Sequence, residues 1–331
     1  MRGILSFSLG IAMACCLNTA PANAATTVKV SVVTNNGDVL VTAMQDTFTK
    51  FIEEKSKGRY KVDTYFGGAL GGCDSVFQGV QFGTINIAID STSNLSQFAP
   101  ELAVVDMPFL MPTEKDLRKI TEGPYSKKFM KYLDKTGVKT VALIFSTYRP
   151  LVSLNHWETL EDIQGQKFRS TASKTHMAAI SSLGMTPTPM PPTEMVTGIQ
   201  QGVVGGSDTE ILGIINYRFC DVAKNVLIAD HIPVIFVLYC SASWYDSLSD
   251  EDKALFDEAF QAYYAETQRV YAEKAAWTLR ECKEKYGMNV TYLSPEEKKR
   301  WIEKSKTAYE SLSPAQTAVC EEIREALKSR I

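Results

Sequence analysis

The hydrophobic pattern of the chain changes period several times, and each change marks an element. Val28-Lys29-Val30-Ser31-Val32-Val33 alternates and is rich in β-branched residues, which predicts a strand. Thr34 to Gly37 reads as a turn. From there apolar residues recur at helical spacing through Leu40, Met44, Phe48, Phe51 and Ile52, with Asp38 placed as an N-cap. Gly58 stops this helix, and Tyr60 to Phe66 predicts a second strand. The loop Gly67-Gly68-Ala69-Leu70-Gly71-Gly72 leads into a helix through Val76, Phe77 and Val80. Gln81-Phe82-Gly83 then punctuates the chain before an apolar strand, Ile85 to Ile89, so the order is β-α-β-α-β.

The same order recurs after Leu160. Lys167 to Thr171 reads as a strand, Lys174 to Leu183 as a helix closed by Gly184, and Met185 to Met190 as extended chain. Thr193 to Gln201 reads as a helix capped by Thr193, followed by Gln200-Gln201-Gly202 and a short strand, Val203 to Ser207. Two similar α/β lobes follow, each expected to carry a mostly parallel sheet, because βαβ connections force parallel pairing. Val138 to Phe145 and Val234 to Tyr239 read as buried strands outside the two units, suited to crossing between lobes. From Ser249 to about Tyr286 the pattern is one long helix, with Ser249 and Asp252 as a capping box. Ser294-Pro295 and Ser313-Pro314 begin two more. No Pro/Gly-rich linker separates the lobes, which places them together around a cleft. The expected division is residues 25–146 with 235–274 for lobe I and 147–234 with 275–331 for lobe II.

The first 24 residues depart from this pattern. Arg2 is followed by an uncharged, mostly apolar run from Gly3 to Leu17, then by Ala22-Asn23-Ala24, an A-x-A cleavage pattern. These are the parts of a secretory leader, so a cleaved, exported and therefore periplasmic protein is expected. The full chain of 331 residues has a net charge of −3, which argues against a nucleic-acid partner. Three histidines leave little material for a histidine metal centre. Beyond the leader, Cys73, Cys220, Cys240, Cys282 and Cys320 match no metal or redox spacing. An oxidising compartment permits one or two disulfides among them, and buried thiols are an equal expectation.

The familiar catalytic motifs are missing: there is no G-x-S-x-G, H-E-x-x-H or phosphate-binding P-loop. Arg169 is more informative. It stands at the carboxyl end of the first strand of lobe II, just before Ser170-Thr171-Ala172-Ser173. Ligands of open α/β sheets bind beyond the carboxyl ends of strands, and a guanidinium beside hydroxyls suits a carboxylate. Arg149, extended by the following Pro150, falls near the crossing between lobes.

The order and spacing of these segments resemble the solute-binding subunits of tripartite ATP-independent periplasmic (TRAP) transporters over nearly all of the mature chain. The resemblance is carried by Phe51 to Val62, Gly67 to Gly72, Val80 to Ile85 and Met107-Pro108-Phe109-Leu110 in lobe I. In lobe II it is carried by Leu160 to Arg169 and Gln200 to Gly206. It implies a binding protein of the periplasmic type, with no cofactor, usually monomeric, serving a permease of small and large membrane subunits. It places Arg169 as the arginine that meets the ligand carboxylate and Arg149 as a second arginine of the pocket. It also implies ligand contacts from Asn35 or Asn36, from Ser91 and Thr92, from Asp208 and Thr209, and from Phe236. Thr209 stands where many members have an asparagine, and Pro192 where sialic-acid binders have an aromatic residue. These departures point away from sialic acid and toward a small, fairly apolar carboxylate. Two other functions fit the same lobes: a sensor subunit that signals to a membrane receptor, and an enzyme acting on small acids.

Overall fold

The computed structural model describes residues 25–328, so the expected leader lies outside the described residues. Among the described residues there are eleven strands: β1 (Thr26–Val32), β2 (Tyr60–Phe66), β3 (Ile87–Ser91), β4 (Val138–Tyr148), β5 (Leu151–Ser153) and β6 (Lys167–Ser170) come first. β7 (Thr186–Pro189), β8 (Gly206–Asp208), β9 (Asn225–Ile228), β10 (Pro233–Ser241) and β11 (Asn289–Tyr292) complete them. They form two sheets, ordered β2-β1-β3-β10-β4 and β11-β9-β5-β8-β6-β7.

Both sheets are mixed, a correction to the mostly parallel expectation. β1 runs parallel to β2 and β3, and β6 runs parallel to β7 and β8. β10 is antiparallel to β3 and β4, and β5 is antiparallel to β8 and β9. The reason is the crossing. β4 leaves the first sheet to become β5 of the second, and β9 returns as β10. Each enters its new sheet from the cleft side and so runs against the strands that point toward the cleft. Arg149 N–H donates to Ile232 O at 2.8 Å, tying the two crossing segments together. The long helix Asp250–Glu284 makes a third connection, capped by Ser249 Oγ, which accepts from Asp252 N–H.

The two β-α-β-α-β units share a local device. In the first, Thr84 N–H and Ile85 N–H both reach Gly79 O; in the second, Val203 N–H and Val204 N–H both reach Gly198 O. Gly83 and Gly202 close these turns at φ +76° and +71°, a region costly for any residue with a Cβ. The turns consume residues expected to be strand, so β3 and β8 start later than the sequence pattern indicates. Thr193 is not a cap: Pro192–Glu194 forms a 3₁₀ turn, and the helix Met195–Gln200 begins at Glu194 without a side-chain cap.

Each sheet is covered on both faces, which is why the crossing strands read as unbroken apolar runs. Along β10, Val234, Phe236, Leu238 and Cys240 enter one cluster, with Phe48, Phe256 and Tyr263. Ile235, Val237 and Tyr239 enter the opposite one, with Phe77 and Phe129. In the second sheet Val152 and Val226 face one cluster, and Leu151 and Leu227 the other. The C-terminal helix Pro314–Lys328 departs from the expected division. Val319, Cys320 and Ile323 pack into the first lobe, beside Leu102 and Leu117, whereas the sequence pattern places residues 275–331 in lobe II. The five described cysteines are free thiols, four of them buried.

Candidate functional site

Between the lobes, at the carboxyl ends of β3, β6 and β8, lies a cavity of ≈ 40 Å³. Lobe I supplies Thr34, Ser91 and Asn94, and the crossings supply Arg149, Val234 and Phe236. Lobe II supplies Arg169, Thr171, Pro192, Asp208, Thr209 and Glu210, among others. A larger cavity of ≈ 490 Å³ adjoins it, sharing Asn94, Thr171 and Pro192 as walls. A buried water needs about 10–15 Å³ of such space, so the inner cavity holds roughly three waters, the size of a carboxylate group.

Arg169 is the next-to-last residue of β6 and is 2% exposed. Its Nε–H donates to Met190 O at 3.0 Å. Among the described residues no carboxylate lies within ion-pairing distance of its guanidinium. Burial lowers its pKa to about 10, against the attraction of Asp208, so it remains a cation at neutral pH. Arg149 differs: its Nη1 lies 3.4 Å from Asp208 Oδ1, its Nη2 donates to Ser93 Oγ at 3.3 Å, and its Nε has no partner.

Asp208, the last residue of β8, is fully buried. Burial opposes its ionisation, but His176 and then Arg149 hold it well below the usual carboxylate range. His176 Nδ1 accepts Thr171 N–H at 3.1 Å, which leaves the ring proton on Nε2, 2.8 Å from Asp208 Oδ2. Asp106 is equally buried and accepts from Ser93 Oγ at 2.7 Å and Ser173 Oγ at 3.1 Å. Glu210 carries a buried oxygen, Oε1, without a partner, while its Oε2 accepts from Thr209 Oγ1 at 3.1 Å. Burial, and then the charge of Asp38, push the Glu210 carboxyl up to about 7. Asp38, from lobe I, accepts from Asn216 of lobe II at 3.1 Å, and burial raises its pKa as well.

The structure thus brings Arg169, Arg149, Asp208, Thr209, Ser91 and Phe236 to one cavity. Three expected contacts are not brought there. Thr92 turns its hydroxyl to Ile235 O at 3.3 Å, which pins the end of β3 to β10. Asn35 packs against Gly67 and Asn36 is exposed; Thr34 takes their place in the wall. Asn94, Met195, Glu210 and Tyr217 also line the cavity, beyond the residues the sequence points to. Glu210 was legible, since it follows Asp208-Thr209 off the same strand end. Asn94 was not, because it is brought inward by a helix of one turn, Thr92–Leu95. Among the described residues no cluster of three or more His, Cys, Asp or Glu side chains is arranged to hold a metal ion.

Residues 30–315 match the family model described as bacterial extracellular solute-binding protein, family 7. A solute-binding protein of Verminephrobacter eiseniae is 30% identical over 243 residues, 72% of each chain. A TRAP periplasmic solute-binding protein of Ochrobactrum anthropi, solved with its C-terminus bound in the ligand-binding pocket, superposes with a TM-score of 0.81 at 30% identity. That likeness covers 92% of this chain and 95% of the other. The sugar acid binding protein DctPAm of Advenella mimigardefordensis, solved with galactonate, gives 0.87 at 25% identity, covering 92% and 98%. With the family model spanning most of the chain and two sheets enclosing one charged cleft, this chain belongs to the family 7 bacterial extracellular solute-binding proteins.

Proposed function

We propose that the mature chain is a periplasmic binding subunit that captures an organic carboxylate between its lobes and delivers it to a TRAP-type permease of small and large membrane subunits. One observation carries the reading: Arg169 is a buried cation that faces a cavity, and among the described residues no carboxylate lies within ion-pairing distance of it. Burying an unpaired charge costs several kcal/mol, and an anionic ligand removes that cost. The inner cavity matches a carboxylate head, and the adjoining ≈ 490 Å³ gives the body of the molecule a place to lie. Galactonate in the Advenella protein, and a chain terminus in the Ochrobactrum protein, are both carboxylates on longer chains, which supports the same reading. Ligand contacts from both lobes stabilise the closed form over the open one, so binding shifts the hinge equilibrium. The chain acts as a monomer, and no bond in the ligand is made or broken.

The test is a thermal-shift and calorimetric screen of residues 25–331, unfolded and refolded first to release any carried ligand. Lactate, pyruvate, succinate, galactonate and neutral analogues form the panel. At about 100 Kd a ligand adds about 2.7 kcal/mol, enough to raise Tm measurably. Arg169→Ala should weaken acid binding at least about 30-fold, since truncating one member of a buried charge pair costs about 2–5 kcal/mol. Binding of neutral analogues alone, or unchanged affinity in Arg169→Ala, would remove the carboxylate assignment.

A further inference from the structure

Six buried residues form a closed circuit that spans both lobes and the crossing between them, five joined through their side chains and His176 through both its ring and its main-chain N–H. Asp106 Oδ1 accepts from Ser93 Oγ (2.7 Å), and Ser93 Oγ accepts from Arg149 Nη2 (3.3 Å). Arg149 Nη1 meets Asp208 Oδ1 (3.4 Å), and Asp208 Oδ2 meets His176 Nε2 (2.8 Å). The main-chain N–H of His176 donates to Ser173 Oγ (3.3 Å), the cap of its helix, and Ser173 Oγ donates to Asp106 Oδ2 (3.1 Å), which closes the ring. None of the six is more than 5% exposed. Ser93 and Asp106 belong to the first lobe, Arg149 to the crossing, and Ser173, His176 and Asp208 to the second.

Two features show what the ring does. Thr171 N–H occupies His176 Nδ1, so the imidazole has one proton to give, and it gives it to Asp208. Asp208 is then held from both sides, which fixes the Nη1 edge of Arg149, while Ser93 fixes Nη2. That leaves Nε as the nitrogen of Arg149 without a partner, buried on a residue that lines the ligand cavity. Arg169 is arranged the opposite way, with Nε engaged by Met190 O. We infer that His176 and Asp106 are positioning residues that fix Arg149 so that it offers its Nε–H to a ligand oxygen, and that the Ser173–Asp106 hydrogen bond makes this arrangement complete only when the lobes are closed. The second part follows from location: Asp106 and Ser173 stand on different lobes, so opening the cleft separates them. Closure and the aiming of Arg149 become one event. The inference rests on the carboxylate reading above.

The test uses residues 25–331 with galactonate, succinate and lactate as probes, and pairs His176→Ala with Arg149→Lys in a double-mutant cycle. His176→Ala should weaken binding about tenfold in the native background and less than about twofold beside Arg149→Lys, because the lost positioning has nothing left to act on. His176→Gln, which keeps a donor toward Asp208, should recover part of the loss. Equal losses in both backgrounds would mean a general structural effect and overturn the inference. Nitrogen-15 NMR gives a readout that needs neither ligand nor variant. His176 should carry its proton on Nε2 at neutral pH, and a proton on Nδ1 would overturn the ring. In the ligand-bound protein, the Arg149 Nε–H resonance should shift and gain exchange protection, and Ser173→Ala should reduce that protection. Failure of every acid to bind would sink the carboxylate reading. Binding that depends on Arg169 but ignores His176 would sink the ring alone.

Discussion

At the scale of single residues, position in the fold decides charge state more than residue type does. Asp208 and Glu210 are two residues apart and both buried. Asp208 is flanked by His176 and Arg149 and stays ionised. Glu210 meets the negative field of Asp38 after the cost of burial, and its carboxyl titrates near 7. The folded pKa of Glu210 lies above the ordinary 4.5, so between those values the folded state binds more protons than the unfolded. Its contribution to stability is therefore full below about pH 4.5 and lost as the pH rises through about 7. In Glu210→Gln the fall in Tm between pH 5 and pH 7.5 should be shallower than in the native chain. A pair of thermal melts at the two pH values checks this, and parallel curves would refute it. Because Asp38 and Glu210 come from opposite lobes, the same protonation should favour the closed form.

At the scale of elements, glycine spacing sets how closely strands approach. A Cβ at Gly206 would stand 2.7 Å from Val152 O and 3.0 Å from the Trp157 ring, whereas at Gly205 its nearest neighbour would be 3.5 Å away. Gly206→Ala should thus cost about 1–3 kcal/mol through overpacking and Gly205→Ala less, read as urea midpoints. Gly206→Ala should also displace Asp208, two residues along β8, and weaken acid binding. The cap of the long helix gives a second case. Ser249→Ala removes an acceptor for Asp252 N–H and should cost about 1 kcal/mol. Ser249 lines neither of the two cavities, so the Kd for acids should be unchanged. Much at this scale was legible in sequence: the β-α-β-α-β units, the Gln-x-Gly turns and the Asp38, Ser249 and Ser294 caps all follow local pattern. Strand starts were not, because Gly79 O and Gly198 O capture residues that alternation alone assigns to strand.

For the whole molecule, the crossings make the cleft a hinge and the C-terminal helix complicates it. That helix packs Val319, Cys320 and Ile323 into lobe I, while the 3₁₀ segment before it, Lys306–Ser311, packs against the helix Lys174–Ser182 of lobe II. Residues 306–328 therefore strap the two lobes on the side away from the long helix. Deleting residues 313–331 should expose the apolar face of the helix Glu114–Thr121 and lower Tm by several degrees. Small-angle scattering should show the radius of gyration shrinking on addition of a bound acid, and the change should vanish in Arg169→Ala. A ligand-bound protein no more compact than the free one would argue against closure.

Local period, caps and strand ends make the two α/β units, the crossing strands, the long helix and the prominence of Arg169 and Arg149 legible in the residues alone. The order of short segments also carried the family. The direction of β5 and β10, the strap made by the last helix, and the ring from Asp106 to His176 were decided by tertiary structure. So was the replacement of Asn35, Asn36 and Thr92 by Thr34 and Asn94 in the cavity wall. Each of these depends on which distant groups meet in three dimensions. Ser93 and Ser173 lie 13 and 67 positions from Asp106 and satisfy its carboxylate only after burial makes an unpaired polar group costly.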